Sequence, residues 1–217
     1  SPRVSSALAP LAAAAPGLGE LYRELHAAPE LSTQETATAA RLASRLRALG
    51  FEVTEGVGGT GVVGVLRNGD GPVVMLRTDL DALPVEERTG LPYASRATGR
   101  GEDGSPVPVM HACGHDLHMT AWTGAATLLA RAKESWRGTL VMLGQPAEEK
   151  GAGAARMLRD GLFTRFPRPG FAVALHATPE LPSGTVGVTP GAAFASVDSV
   201  DLTIHGKGGH GAMPHRT

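Results

Sequence analysis

Apolar residues recur every three or four positions between residues 18 and 49, as at Leu21 and Leu25. This spacing is that of the buried face of an amphipathic helix. Pro29 interrupts the segment and Gly50 follows it, and both residue types favour helix boundaries. The pattern therefore predicts two helices separated at Pro29.

Three short apolar runs follow at residues 73–76, 139–143 and 171–175. Continuous runs of this length are typical of strands in the interior of a parallel sheet. Residues 119–132 and 153–162 lie between them and have the small-residue and leucine pattern of packed helices. The alternation predicts an α/β fold, with a mixed, largely parallel sheet flanked by helices.

Two other segments differ from this pattern. Residues 84–108 are polar and rich in glycine, which predicts a long surface loop. Apolar and polar residues alternate from 196 to 204, as in a half-exposed antiparallel strand. We therefore predict one domain over residues 1–190 and the beginning of a second, α+β domain over residues 191–217.

The composition excludes several classes of partner. Lysine and arginine total 20 and aspartate and glutamate total 21, so the formal net charge is −1, which gives no reason to expect nucleic acid or an anionic membrane. No apolar run approaches the roughly 20 residues that span a bilayer. The single cysteine cannot form an internal disulfide. We expect a cytoplasmic globular protein.

Potential metal donors stand after the predicted strands. Cys113 and His115 lie in a loop that contains glycine, Glu148 and Glu149 follow the second apolar run, and His176 directly follows the third. In alternating strand and helix folds, ligands bind at the carboxyl ends of the strands. Thiolate, imidazole and carboxylate groups are ligands of zinc and its first-row neighbours. This set predicts a metal-dependent hydrolase.

Several of these donors, and some polar residues near them, also have a simpler interpretation. Cys113 alone fits a small buried core residue. The pair Glu148–Glu149 could cap the following helix, because negative charge is favoured at a helix N-terminus. Asp79 and Asp81, after the first apolar run, could initiate a loop. His118 lies one helical turn beyond His115, and the pattern favours a satisfied surface histidine over a spare ligand.

Five motifs, taken together and in this order, resemble the M20 metallopeptidase clan, in particular its branch of aminoacylases, hippurate hydrolases and auxin-conjugate hydrolases. The order of five motifs is more specific than any single one. The motifs are LHAAPELS at residues 25–32, RTDLDALP at 77–84, HACGHD at 111–116, QPAEE at 145–149 and GKGGH at 206–210.

The resemblance implies a zinc-peptidase-like catalytic domain, of which residues 1–190 are the N-terminal part, followed by a truncated lid and dimerisation domain. It also implies that Cys113, His115, Glu149 and His176 are four of five ligands of a two-metal centre, with Cys113 bridging. The fifth family ligand, a histidine near the C-terminus, has no counterpart here. Zinc or manganese is expected, with cobalt or nickel as alternatives.

The resemblance further implies catalytic roles for three residues. Glu148 would act as general base and then general acid in hydrolysis of an N-acyl amino acid or a related amide conjugate. Asp79 would orient a group of the metal site from behind the ligands. His210 would reach the active site of a neighbouring subunit, which implies a homodimer through the lid domain. Without the resemblance, a histidine in a glycine-rich turn is expected to be merely solvent-exposed.

Two alternative functions stay open at this stage. Dipeptidases and carbamoyl amino acid hydrolases of the same clan usually have aspartate where Cys113 stands, so the cysteine argues against them. The other alternative is a truncated, catalytically inactive remnant that binds metal or dimerises.

Overall fold

The computed structural model describes residues 2–192, 200, 202–203, 205–210, 212–213 and 215. The chain divides into two compact units, residues 1–177 and 178–217. Of the strand predicted at residues 196–204, all but residues 200 and 202–203 lie outside the described residues. The predicted domain boundary at residue 190 stays a prediction.

The helices and strands lie close to the positions that the hydrophobic pattern predicts. Pro29 separates two helices, as expected, although the first begins well before residue 18. None of the helices described is long and apolar enough to cross a membrane. The helices are α1 (Pro2–Leu8), α2 (Leu11–Ala27), α3 (Thr36–Ala48), α4 (His115–Arg131), α5 (Gly153–Arg159) and α6 (Leu162–Arg165). The strands are β1 (Glu52–Val57), β2 (Gly61–Asn68), β3 (Val73–Asp79), β4 (Thr98–Arg100), β5 (Pro106–Pro108), β6 (Gly138–Gln145) and β7 (Phe171–Ala174).

The central sheet has the strand order β1-β2-β6-β3-β7. Strand β2 pairs antiparallel with both β1 and β6, whereas β3 pairs parallel with both β6 and β7. The predicted mixed sheet flanked by helices is therefore confirmed. Because β3, β6 and β7 run in the same direction, their carboxyl ends meet at one edge of the sheet. Strands β4 and β5 form a separate hairpin within the predicted loop of residues 84–108.

Both faces of the sheet are covered at its centre, as the residues of β6 illustrate. Leu140 and Met142 pack into a core that includes residues of α2, α3 and α4. Val141 and Leu143 point to the opposite face and join a core that includes Met157 of α5. Successive strand residues face opposite sides, so a strand buried on both faces is apolar throughout.

Strand β7 lies at the edge of the sheet and is exposed. Phe171 is 65% exposed and Val173 is 48% exposed, although an apolar run is typical of a buried strand. Within the described residues, β7 pairs only with β3. Its position matters for the chemistry because His176 follows two residues after the strand ends.

Candidate metal centre

The four predicted ligands converge at the carboxyl edge of the parallel strands. Cys113 lies in the loop before α4, His115 begins that helix, Glu149 follows β6 and His176 follows β7. The Cys113 Sγ lies 3.4 Å from His176 Nε2. The His115 Nε2 lies 3.6 Å from Glu149 Oε1 and 3.7 Å from Glu148 Oε2. Residues up to 63 positions apart in the chain thus surround one small volume.

His115 is completely buried, and its environment fixes which nitrogen faces this volume. The Nδ1–H donates to the backbone carbonyl of Asp81 at 2.7 Å, so Nε2 is the unprotonated nitrogen of the neutral ring. Within the described residues, neither His115 Nε2 nor the buried Oε1 of Glu149 has a hydrogen-bond partner. Buried polar atoms are normally satisfied. Two such atoms facing each other, beside a thiol and a second imidazole, fit a divalent metal ion.

The charge around the thiol supports the same conclusion. Burial and then the negative charges of Glu149 and Glu148 raise the pKa of Cys113 to about 11. Burial is also the main cause that raises the pKa of Glu149. Burial is thus the main cause that disfavours the charged forms of both groups, and the neighbouring carboxylates add to it. A bound divalent cation reverses this effect and stabilises the thiolate and carboxylate forms that act as ligands.

Asp79, at the end of β3, is a buried carboxylate whose two oxygens both accept hydrogen bonds. Its Oδ1 accepts from His118 Nδ1 at 2.8 Å and its Oδ2 accepts from Arg77 Nη1 at 2.8 Å. Burial would raise the pKa of Asp79, but the hydrogen bond from His118 and the positive charge of Arg77 are among the causes that lower it to about 2. The side chain thus stays ionised in the interior, where it organises neighbouring groups rather than merely starting a loop.

The prediction of a surface position for His118 is wrong. The residue is only 6% exposed, because α4 turns it toward the carboxyl edge of the sheet. Asp79, His115 and His118 lie close enough together to hold an ion. However, His118 Nδ1 donates to Asp79 and His118 Nε2 accepts from the backbone N–H of Ala177 at 2.7 Å. Neither ring nitrogen is available to a metal.

Sequence reasoning missed the role of Glu35 and understated that of Asp81. Glu35 is fully buried and accepts a 2.7 Å hydrogen bond from the backbone N–H of Ala147, which precedes the glutamate pair and has a φ of 46°. Asp81 Oδ2 accepts from the Glu149 N–H at 3.0 Å and from the Ser32 hydroxyl at 2.6 Å. In the sequence, Ser32 stands three positions before Glu35, which is the pattern of a helix capping box. This local pattern gives no indication of the long-range contact of Glu35.

Two further predictions can be compared with the structure. Helix α5 begins at Gly153 with Ala152 as its N-cap and no side-chain cap, so Glu148 and Glu149 do not cap it. His210 is exposed in the 178–217 unit, and its Nδ1 accepts from the backbone N–H of Ala212 at 3.2 Å. Its catalytic role stays a prediction.

Two curated proteins resemble most of the chain. The N-acetyl-L-cysteine deacetylase of Bacillus subtilis is 42% identical over 196 residues, which cover 90% of this chain and 44% of that protein. The hippurate hydrolase of Campylobacter jejuni is 39% identical over 198 residues, which cover 91% of this chain and 49% of that protein. The chain therefore spans about half the length of the curated relatives that it matches.

A solved structure resembles the fold as well. The crystal structure of the Bacillus subtilis YXEP protein, described as a dinuclear metal binding peptidase from the M20 family, superposes with a TM-score of 0.70 at 37% identity. The match covers 79% of this chain and 45% of that one. The family model for peptidase family M20/M25/M40 matches residues 75–215, which is more than half of the chain. The resemblance drawn from the five motifs is confirmed, and the chain belongs to peptidase family M20/M25/M40.

Proposed function

We propose that this chain carries the catalytic residues of a metal-dependent amidohydrolase that cleaves the amide bond of N-acyl amino acids or related conjugates. The observation that carries the proposal is the pair of buried, unpartnered donor atoms, His115 Nε2 and Glu149 Oε1, beside Cys113 and His176. The names of the relatives, a deacetylase and a hippurate hydrolase, support the substrate class.

Cys113, His115, Glu149 and His176 would hold two divalent ions. The ions would supply Lewis-acid polarisation of the substrate carbonyl and a water molecule of lowered pKa. The dinuclear centre named for the YXEP protein supports the number of ions. The mixture of sulfur, nitrogen and oxygen donors suits zinc or manganese, and also cobalt or nickel.

Glu148 would take the proton from the attacking water and deliver it to the leaving nitrogen. Its side chain is 36% exposed, whereas that of Glu149 is 18% exposed, so Glu148 is the member of the pair that substrate and water reach more easily. Its Oε2 lies 3.7 Å from His115 Nε2. Glu148 therefore lies beside the donor cluster, which consists of Cys113, His115, Glu149 and His176. Asp79 would keep the surrounding groups in place from the buried side.

The proposal is tested by measuring metal stoichiometry and turnover on the same preparation. The metal-free protein is titrated with zinc and with manganese, and each form is then assayed with N-acetyl amino acids, hippurate, dipeptides and N-carbamoyl amino acids. Two bound ions with turnover of the N-acyl substrates are expected. Turnover confined to dipeptides or carbamoyl compounds would favour the other branches of the clan. Metal binding without any turnover would favour an inactive metal-binding protein.

The role of His210 and the homodimer are part of the same proposal. If His210 acts in the active site of a neighbouring subunit, Glu148→Gln and His210→Ala each have strongly reduced activity alone. A mixture of the two variants then regains activity, because some dimers contain one site with both intact residues. No recovery after mixing and refolding, with dimers present in sedimentation measurements, would contradict action between subunits.

A further inference from the structure

We propose that His118 is a positioning residue of the metal centre, which sets the ligand His176 in place by holding the backbone of Ala177. This inference rests on the proposed function, because it assigns the control of one ligand of that site. His118 itself binds no metal. Its role is to connect α4 and β3 to the segment that carries His176.

The two hydrogen bonds of His118 define which of its ring nitrogens carries the proton. The backbone N–H of Ala177 can only donate, so His118 Nε2, at 2.7 Å, must be the unprotonated acceptor. The proton of the neutral ring therefore resides on Nδ1, where it donates to Asp79 Oδ1 at 2.8 Å. Asp79 in turn accepts from Arg77. Asp79 thus selects the tautomer of His118 that can hold Ala177.

The backbone of Ala177 also orients the ring of His176. The carbonyl oxygen of Ala177 accepts from His176 Nδ1 at 2.7 Å, which leaves His176 Nε2 directed toward Cys113 Sγ. His118 holds the N–H of the same residue. One buried side chain therefore fixes the backbone that orients an otherwise exposed ligand.

The need for such a connection follows from the position of His176. It follows the edge strand β7 and is exposed, whereas His115 is completely buried within α4. Gly114 allows the approach, because a Cβ atom there would lie 3.2 Å from the Cβ of Ala177 and 3.8 Å from His118 Nε2. Groups that orient metal ligands typically change metal affinity by about 10- to 100-fold when removed.

Two amide substitutions separate the two hydrogen bonds of His118. In His118→Asn, the amide nitrogen can replace the Nδ1 donor to Asp79, but no acceptor reaches Ala177. In His118→Gln, the amide oxygen can reach the position of Nε2 and accept from Ala177. We expect the asparagine variant to bind one of the two ions about 10- to 100-fold more weakly, and the glutamine variant to retain most of its affinity.

The matched control is Trp122→Phe. Trp122 lies on the same helix, is buried, and donates from Nε1 to the carbonyl oxygen of Leu76 in β3 at 2.9 Å. The substitution removes one hydrogen bond between α4 and β3 without touching the Ala177 contact. Metal affinities of this variant should match those of the unchanged protein, even if its thermal stability falls.

The readout is stepwise metal affinity, measured by competition with a chromophoric chelator, and it needs no turnover. Equal affinities in the unchanged protein and in His118→Asn would overturn the positioning role, as would equal weakening in the asparagine, glutamine and Trp122→Phe variants. Failure of the unchanged protein to bind metal would instead contradict the proposed function.

A second measurement does not depend on the folding of any variant. Nitrogen-15 spectra of the imidazoles in the metal-free protein report the tautomer of His118 directly. The proton is expected on Nδ1, with Nε2 showing the shift of an unprotonated acceptor. A proton on Nε2 would exclude the contact with Ala177 and would overturn the inference.

Discussion

At the scale of single residues, the adjacent Glu148 and Glu149 have different environments. Glu149 has a buried, unpartnered carboxylate oxygen, and its backbone N–H donates to Asp81 Oδ2. The side chain of Glu148 is more exposed. Adjacent side chains on an irregular turn point in different directions, so one can face the ligands and the other the substrate. This difference supports separate roles for the two residues, with Glu149 binding metal and Glu148 transferring the proton.

These separate roles lead to a prediction for two matched substitutions. Glu148→Gln should lower kcat by about 10²- to 10⁴-fold, the usual contribution of general acid–base catalysis, and should retain both ions. Glu149→Gln should lose metal affinity as well as activity, as should Cys113→Ala. Equilibrium dialysis followed by elemental analysis, combined with initial rates, distinguishes these outcomes. Equal metal loss in both glutamine variants would refute the assignment.

His26 is a buried histidine that pairs with two buried carboxylates. Its Nδ1 lies 2.6 Å from Asp116 Oδ2 and its Nε2 lies 3.0 Å from Glu87 Oε1, and all three side chains are nearly inaccessible to solvent. Burial lowers the pKa of His26, but the hydrogen bonds to Glu87 and Asp116 raise it above its ordinary value of 6.5. The ring joins α2, the loop before β4 and the first turn of α4.

We predict that His26→Ala destabilises the metal-free protein by about 3–5 kcal/mol at pH 6, because two buried carboxylates lose their partner. The raised pKa of His26 contributes stability that is complete below pH 6.5 and is lost as the pH rises through the folded-state pKa. The free energy of unfolding, from urea titrations, should therefore differ less between the two proteins at pH 9 than at pH 6. An equal difference at both values would contradict the charged pair.

The exposed His205 offers a control for this experiment, since His205→Ala changes the same residue type without burial. The unfolding free energy of this variant should follow that of the unchanged protein at both pH values. A loss as large as that of His26→Ala would point to a general effect of removing histidine.

At the scale of elements, Glu35 joins the start of α3 to the turn between β6 and α5. The contact spans 112 positions in the chain and stabilises Ala147, whose positive φ is uncommon for a residue with a Cβ atom. The direction of the Glu148–Glu149 segment depends on that backbone conformation. Glu35 therefore acts on the glutamate pair without touching the donor cluster.

We predict that Glu35→Ala lowers kcat by up to about 10²-fold, since small displacements of a catalytic group have effects of this size. In the unchanged protein, the Thr60 hydroxyl donates to the second carboxylate oxygen of Glu35. Glu35→Gln should be close to the unchanged protein, because its amide oxygen can accept from Ala147 and its amide nitrogen can donate to the Thr60 oxygen. Steady-state rates at saturating metal provide the measurement. The exposed Glu55, which pairs with Arg47, supplies the control Glu55→Ala. Equal losses in the alanine and glutamine variants of Glu35 would argue against backbone support.

At the scale of the whole molecule, folding and metal binding should be linked. The donor cluster draws on α4 and on the segments that follow β6 and β7, so an ion bound there connects parts of the fold that are distant in sequence. A ligand that binds only the folded state stabilises it by about 2.7 kcal/mol at a concentration of 100 times its Kd.

We therefore predict that zinc or manganese raises the melting temperature of the protein and that a chelator reverses the rise. Differential scanning calorimetry at several metal concentrations measures the effect. Cys113→Ala should show a much smaller rise under the same conditions. A melting temperature independent of metal would contradict the proposed centre.

Much of the molecule could be predicted from local patterns. The helices at α2, α3 and α4 and the apolar strands β3, β6 and β7 follow from the periods of 3.6 and 2 residues and from apolar runs. The candidate ligands could also be predicted, because Cys113 and His115 are neighbours in one motif and the other donors directly follow strands. In each case the information lies within a few adjacent residues.

Tertiary structure alone decided how these donors are supported. Asp79 and His118 lie 39 positions apart, His118 and Ala177 lie 59 apart, and Glu35 and Ala147 lie 112 apart. Nothing in the local sequence pairs them, because a hydrogen bond across a sheet edge depends on where two chain segments meet. The sequence by itself determined which residues can bind metal, and folding determined which atom of each one faces the site.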